Sequence, residues 1–309
     1  MQTKTGQNHK EHISELEIKG LHGRILRLPA SQGNQRKILF IYGQHSSIER
    51  WWGLAQFFNQ FGAVTMPDLP GFGGMDSLYK IGQPATIDNL ADCLADFVSQ
   101  EYQGKQVTIF AMSLGFVVVT RMLQRHPELV DRVDYLVSIV GFAHHSDFVF
   151  SRRKMLFYKV MSVVFSRRLP AAMFKATLLQ PFVLRAVYHR TGNAREKFEA
   201  KSGDSFARTM DMEVELWAIN DVRTQFKTYR EMFWLDNTDR KINLPINHVA
   251  VKNDRYFNNS QVEQHMRHIF NDFEMFYADV PSHAPTVVAD IGEAASFAPP
   301  ALLKKVSLS

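Results

Sequence analysis

Short apolar runs alternate along this chain with longer segments in which apolar residues recur at helical spacing. The run KILFIY at 37–42 is rich in strand-forming residues, whereas the segment that Thr86 would cap places Leu90, Leu94 and Phe97 on one helical face. Strands that alternate with helices favour a mostly parallel sheet with helices on both faces. Eight strands are predicted, at 13–19, 23–28, 37–42, 63–66, 107–111, 133–140, 246–252 and 273–278.

The alternation is interrupted between 141 and 244, where the sequence predicts helices and no strands. An interruption of this length indicates a helical cap inserted into a sheet domain. We therefore expect an α/β core at 13–141 and 245–309 and a cap at 142–244. Residues 1–12 are polar and lack the apolar core of a secretory signal, so we expect a flexible tail there.

Composition narrows the class of protein further. The chain has 309 residues, of which 45% are hydrophobic and 22% charged, an ordinary balance for a globular protein. The single cysteine, Cys93, excludes an intramolecular disulfide framework, and its helical context predicts a buried structural thiol. The longest uncharged run, 51–67, contains Gln, Asn, Gly and Pro, so no membrane-spanning segment is predicted.

The clearest chemical signal is the sequence Ala111-Met112-Ser113-Leu114-Gly115, where an apolar strand runs directly into a helix. A sharp strand-to-helix turn would hold Ser113 in a strained conformation with its Oγ exposed, and small residues two positions away on either side would be needed. The N–H of Leu114 would then point at a developing oxyanion. The plainer interpretation is a serine that caps an ordinary buried helix.

With this elbow the chain resembles the α/β-hydrolase family over most of its length outside the cap. The departures are Ala111 where the family has glycine, Tyr42 where histidine is usual, and the loop Gln44-His45-Ser46, which is more polar than many family loops. The resemblance implies an oxyanion hole formed by the backbone N–H groups of Gln44 and Leu114, with side-chain changes in this loop altering the shape of the pocket. Further similar motifs are the loop Ile41-Tyr42-Gly43-Gln44, the pair Trp51-Trp52, the turn Pro67-Asp68-Leu69-Pro70-Gly71-Phe72-Gly73 and the helix end His126-Pro127-Glu128.

The family order of nucleophile, acid and histidine implies that His283, just after the last predicted strand, is the catalytic base. Five other histidines are weaker candidates. His248 lies inside a predicted strand, and His265 and His268 lie on a helix expected to pack on the outside. The neighbouring pair His144 and His145 precedes the expected acid in the chain.

Asp254 follows the strand predicted at 246–252, where the family places its acid. Asp147, after the sixth strand, is the alternative, since some family members take the acid from there. Asp68 is better interpreted as a stabiliser of its own turn.

The resemblance implies acyl transfer to Ser113, and we expect hydrolysis of a lipophilic carboxylic ester. The same triad could serve a thioester hydrolase, a C–C bond hydrolase or an acyltransferase. A different class of function is a catalytically silent α/β-hydrolase fold that binds a ligand. No cofactor is implied, and the sequence contains no CxxC, HExxH or P-loop motif that would indicate a metal or phosphate site.

Positive charge is concentrated in the predicted cap. The net charge of the chain is +5, yet the segment from His144 to Arg190 has nine Lys and Arg against one acid, Asp147. One interpretation is a lipophilic pocket whose basic rim contacts an anionic membrane, and the other is ordinary amphipathic helices with buried apolar faces. We expect a cytoplasmic protein with peripheral membrane contact and no nucleic-acid partner. Candidates for an acyl pocket are Phe150, Phe157, Phe165, Phe174, Phe182 and Trp217.

Overall fold

The computed structural model describes residues 9–31, 35–190, 203–280 and 291–308. Eight strands form one sheet in the order β1-β2-β4-β3-β5-β6-β7-β8. β1 and β2 pair antiparallel at one end of the sheet, and every pairing from β4 through β8 is parallel. The predicted fold class, a mostly parallel eight-stranded sheet flanked by helices, is therefore confirmed. The strands are β1 Ile13–Ile18, β2 Leu21–Leu28, β3 Lys37–Ile41, β4 Ala63–Pro67, β5 Val107–Met112, β6 Val133–Ile139, β7 Ile242–Val251 and β8 Phe270–Ala278.

Helices follow most of the parallel strands. The second helix begins where the sequence predicts, because the Thr86 hydroxyl accepts a hydrogen bond from the N–H of Asn89 at 3.2 Å. The helices are α1 Trp52–Asn59, α2 Ile87–Tyr102, α3 Leu114–Arg125, α4 Arg152–Phe165, α5 Arg168–Thr177, α6 Pro181–Arg190, α7 Gly203–Ile219, α8 Val222–Phe233, α9 Asn259–Ile269, α10 Ile291–Ala295 and α11 Pro300–Leu308.

The core is centred on β5, all six residues of which are buried. A strand covered on both faces needs apolar side chains on both, which is why its sequence is a continuous apolar run instead of an alternating one. The register places Ala111 opposite Ile41 of β3, and Met112 opposite Ile139 of β6. The carboxyl ends of these central strands therefore meet at the same edge of the sheet.

Five helices, α4 to α8, lie between β6 and β7, and no strand occurs among the described residues of that stretch. α8 packs against α4 and α5, while α6 packs against α7. The division of the chain into a core and a cap at 142–244 stays a prediction. In the described part of the chain, no helix has both the length and the apolar character needed to cross a bilayer.

Several element boundaries differ from those predicted, and the largest differences are at 47–60 and at the start of β7. The segment 47–60 was expected to be one helix, but a 3-10 turn at Glu49–Trp51 precedes α1. β7 begins four residues earlier than predicted, because its pairing with β8 shifts in register between Ile242 and Pro245. Such an irregularity accommodates a proline inside a strand that sequence patterns would end there.

Candidate active site

Ser113 lies at the sharp turn between β5 and α3, with backbone angles of φ 48° and ψ −116°. A positive φ is unfavourable for a residue with a Cβ and persists only where its surroundings impose it. The Ser113 N–H donates to the carbonyl of Ile139 at 3.0 Å, and its own carbonyl accepts from the N–H of Phe116 at 3.0 Å. Hydrogen bonds on both sides of the serine thus hold this strained conformation.

Close backbone approach explains the glycines around this turn. A Cβ on Gly115 would lie 2.4 Å from the carbonyl oxygen of Tyr42 and 2.5 Å from that of Ile41, so only glycine fits at this second position of α3. A Cβ on Gly43 would lie 3.1 Å from the Cβ of Ser113, which places the loop after β3 directly against the serine. The alanine at 111, where the family has glycine, is fully buried within β5.

The two amides predicted to form an oxyanion hole belong to Gln44 and Leu114. Leu114 is the first residue of α3, and the N–H groups of a first helical turn have no intrahelical acceptor. The Gln44 side chain ties its loop to α8, since Oε1 accepts from the Thr228 hydroxyl at 3.0 Å and Nε2 donates to the carbonyl of Gln225 at 3.1 Å. The role of both amides stays a prediction.

Ser113 and Gln44 line a cavity of about 500 Å³ between the sheet edge and helices α4, α7 and α8. Most of its lining side chains are aromatic, and they include Phe148, Phe233 and Phe257. A site of this size and apolar character suits an organic molecule with few polar groups.

Three of the six aromatic residues proposed for an acyl pocket do line this cavity, namely Phe150, Phe157 and Trp217. The prediction is wrong for the other three. Phe165 and Phe174 pack with Phe226 between α4, α5 and α8, and Phe182 is 73% exposed on α6. Their helical spacing could not distinguish a wall of the cavity from a contact between helices or an outer surface.

Asp254 lies three residues beyond the end of β7, at the sheet edge that carries Ser113. Its Oδ1 accepts hydrogen bonds from the backbone N–H groups of Tyr256 at 2.7 Å and Phe257 at 3.2 Å. Both of these residues line the cavity, so the carboxylate is fixed to the cavity wall.

The alternative acid, Asp147, is fully buried and has a different set of partners. Its Oδ2 accepts from the N–H groups of Ala143 and His144 at 2.9 and 3.0 Å, and its Oδ1 lies 2.6 Å from Nδ1 of His265. The ring of His265 therefore reaches inward to Asp147, whereas the sequence predicted only that its helix packs on the outside. This arrangement joins the loop after β6 to α9 and does not line the cavity.

The predicted base, His283, lies outside the described residues. Of its rivals, His248 is buried in β7 with Nδ1 2.9 Å from the Ser138 hydroxyl. The ring of His144 packs at a tilt against the rings of His145 and His265, with centroids 4.0 and 4.7 Å apart. Burial is the main cause that lowers the pKa of His144, and the neighbouring His145 and His265 lower it further. None of these rivals lines the cavity. In the described parts of the chain, no group of three or more His, Cys, Asp or Glu side chains could hold a metal ion.

The burial of His248 predicts an acid-dependent loss of stability. Desolvation lowers its pKa from 6.5 to about 4, against the opposing charge of Asp254. As the pH falls through this range the unfolded chain binds the proton and the folded chain does not. Relative to neutral pH, the free energy of unfolding therefore falls by about 3 kcal/mol as the pH drops from 6.5 to 4, and the loss is complete below the folded-state pKa.

The His248→Asn variant lacks this titration and keeps a group that can hydrogen-bond to Ser138. We expect its free energy of unfolding, measured by urea titration, to fall less than that of the wild type between pH 6.5 and 4. The comparison must be a difference between the two proteins, since Asp68 titrates in an overlapping range with the opposite sign. Equal losses in both proteins would contradict the prediction.

Tyr42 departs from the expectation that this position shapes the pocket. Its buried side chain is not part of the cavity lining, and its hydroxyl donates to Oδ1 of Asp68 at 2.7 Å and accepts from the N–H of Leu69 at 3.1 Å. Arg24 binds the other oxygen of Asp68 at 2.9 Å. Burial raises the pKa of Asp68 to about 7, while the charge of Arg24 opposes the rise. This network fixes the turn after β4, the structural role expected for Asp68.

Sequence reasoning missed a polar cluster on the cavity wall. His45 places Nδ1 2.8 Å from Oε1 of Gln225 and Nε2 3.5 Å from Oε2 of Glu213, and its ring packs on Trp217 at 4.3 Å between centroids. All four residues line the cavity. The available signal was Glu213 itself, an acid between apolar residues of a predicted helix.

Comparisons with known proteins show what this chain resembles. The family model Hydrolase_4, described as serine aminopeptidase, S33, matches residues 32–284. Among solved structures, a malate-bound thermophilic esterase from Thermogutta terrifontis is 15% identical at a TM-score of 0.64, with 95% of this chain and 99% of that chain covered. No curated protein matches the chain.

Two further solved structures resemble it. The enol-lactonase from Burkholderia xenovorans LB400 is 12% identical at a TM-score of 0.65, covering 96% of this chain and 100% of that chain. A membrane phospholipase A, described as a novel bacterial virulence factor, is 16% identical at a TM-score of 0.63, covering 96% of this chain and 88% of that chain. At such identities these structures show a shared fold and nothing finer.

Proposed function

Because the chain belongs to the serine aminopeptidase S33 family of α/β-hydrolase enzymes, we propose that it is a serine hydrolase that cleaves a lipophilic carboxylic ester. The observation that carries the proposal is the position of Ser113. This serine is held in a strained conformation at the start of α3 and lines an aromatic cavity of about 500 Å³. A strained serine at a sharp turn, facing a cavity, is the arrangement that nucleophilic attack requires.

The proposed mechanism proceeds through an acyl-enzyme. Ser113 Oγ attacks the ester carbonyl carbon while His283 takes the hydroxyl proton, and the backbone N–H groups of Gln44 and Leu114 stabilise the tetrahedral oxyanion. The C–O bond of the ester then breaks as His283 gives the proton to the leaving alcohol. Water, activated by the same histidine, releases the acid. Asp254 holds His283 in the required tautomer and orientation.

The cavity lining supports an ester with a large apolar part. Aromatic side chains from α4, α8 and the loops after β6 and β7 surround the serine, so an acyl chain gains from leaving water. The charged groups near this lining have partners within the protein, as Glu213 does in His45. An esterase, a lactonase and a phospholipase with the same fold act on bonds of this class, which adds support to the proposal.

The length of the acyl chain tests the proposal directly. With p-nitrophenyl esters of increasing chain length, kcat/KM should rise by about fourfold for each methylene that enters the cavity, the amount expected for burial of about 0.8 kcal/mol per CH₂. An amino-acid p-nitroanilide, tested beside them, measures the peptidase activity that the family description suggests. Faster cleavage of the anilide than of every ester would overturn the proposal.

A variant that fills the cavity provides the matching test. Met161 on α4 lines the cavity, so Met161→Trp should shift the preference toward shorter acyl chains by about tenfold in the ratio of kcat/KM values. Phe182→Trp is the control, since this exposed side chain lies outside the cavity lining. An unchanged preference in Met161→Trp would show that the acyl chain binds elsewhere.

A further inference from the structure

Helices α4, α5 and α6 expose apolar side chains that a surface helix would normally bury. Of thirteen large hydrophobic side chains exposed among the described residues, ten lie between 149 and 187. Leu169 is 75% exposed, Phe182 73% and Met173 68%. We define the outer helical face by six of these residues, Leu156, Phe157, Val160, Leu169, Met173 and Phe182.

Helical spacing shows that the exposure is a property of one side of α4. Leu156, Phe157 and Val160 recur at the spacing of one helical face and are exposed, whereas Tyr158 and Met161 line the cavity on the other side. The helix is therefore apolar toward the cavity and apolar toward solvent. A concentration of exposed apolar side chains on consecutive helices marks an interaction surface.

The charge around the outer helical face favours one kind of binding partner over another. Residues 149–187 contain no Asp or Glu, and Arg152, Arg153, Arg167 and Arg168 form no ion pair or hydrogen bond through their side chains with any described residue. A second copy of the chain would bring the same positive charge against it, which disfavours self-association through this face. Apolar residues interleaved with Lys and Arg suit the interface of an anionic bilayer. The basic residues of the stretch are Arg152, Arg153, Lys154, Lys159, Arg167, Arg168, Lys175 and Arg185.

Phe157 connects this face to the cavity. Its side chain is 58% exposed and also lines the cavity that contains Ser113. An apolar molecule leaving a bilayer against the outer helical face would thus meet the cavity at this residue. We propose that the outer helical face docks on an anionic lipid bilayer and that the cavity receives its ester from that bilayer. The second half of this inference rests on the function proposed above.

Vesicle binding by the full chain tests the docking. Flotation with vesicles of phosphatidylcholine alone, and of phosphatidylcholine mixed with phosphatidylglycerol, should give at least about tenfold stronger binding to the anionic vesicles, with the difference lost in high salt. Arg167→Glu combined with Arg168→Glu should remove most of this difference. Equal binding to both kinds of vesicle, or none to either, would overturn the proposal.

An apolar variant separates docking from chemistry. Leu169→Asp combined with Met173→Asp should weaken vesicle binding by about tenfold or more and leave hydrolysis of short p-nitrophenyl esters in solution unchanged, because neither residue lines the cavity. Tyr277→Asp is the matched control, as this side chain is 46% exposed on β8 and should leave binding intact. Circular dichroism and melting temperature establish that each variant is folded.

The outcomes also distinguish the two proposals. Vesicle binding without hydrolysis of any ester would keep the docking and refute the function proposed for the cavity. Hydrolysis of esters in solution without vesicle binding would do the reverse. A dimer, seen by light scattering, that the Leu169 and Met173 variant dissociates in the absence of vesicle binding would assign the face to a second copy of the chain and overturn the inference.

Discussion

Ser113→Ala is expected to lower kcat/KM for p-nitrophenyl esters by at least about a thousandfold and to abolish covalent labelling by a fluorophosphonate probe. The probe phosphonylates, with loss of fluoride, only a serine whose proton can be removed and whose developing oxyanion is stabilised. Because alanine retains the Cβ of serine, the turn between β5 and α3 should be preserved. Mass spectrometry of the labelled wild type should place the adduct on Ser113.

Ser162→Ala is the matched control. Ser162 is buried, lines the same cavity, and its hydroxyl donates to the carbonyl of Lys159 at 2.8 Å. It therefore tests whether any cavity serine would serve. Labelling and turnover should persist in this variant. Full labelling of Ser113→Ala, or a wild type that is folded yet neither labelled nor active, would contradict the proposed mechanism and favour the silent, ligand-binding interpretation of the fold.

The elbow was predictable because its constraints are local. Around Ser113, a buried strand is followed by a helix within a few residues. Position 115 must be glycine because a Cβ there would clash with the end of the neighbouring strand. The centre of the sheet was predictable for a related reason, since strands such as β3 and β5 are short apolar runs. The exact ends of the strands were harder to predict. β7 extends past Pro245 because pairing with β8 outweighs the local signal of a proline.

Contacts between distant residues escaped prediction. His45 and Gln225 lie 180 positions apart, and Asp147 and His265 lie 118 apart, yet each pair is within hydrogen-bonding distance. Nothing in the local pattern of either partner indicates the other.

The outer helical face shows a different limit of prediction from sequence. A periodic apolar pattern indicates which residues share a side of α4, but it does not indicate whether that side faces protein or solvent. In α4 both sides are apolar.

The identity of the catalytic acid gives the second large effect. Asp254→Asn is expected to lower kcat/KM by about 10⁴, the size of effect seen when a triad carboxylate is replaced by an amide that favours the wrong histidine tautomer. Its melting temperature should change little, since the amide oxygen can still accept from the N–H groups of Tyr256 and Phe257. Activity and melting temperature are measured on the same samples.

Asp147→Asn should show the opposite pattern. Both oxygens of Asp147 are occupied by Ala143, His144 and His265 in a fully buried setting, so loss of the charge should cost about 1–3 kcal/mol of stability and lower the melting temperature. Below its melting transition the variant should retain most of the wild-type kcat/KM, because this carboxylate lies outside the cavity lining. If Asp147→Asn is folded but inactive while Asp254→Asn remains active, the acid is Asp147. The carboxylate that orients the catalytic histidine would then lie in the loop after β6 instead of the loop after β7.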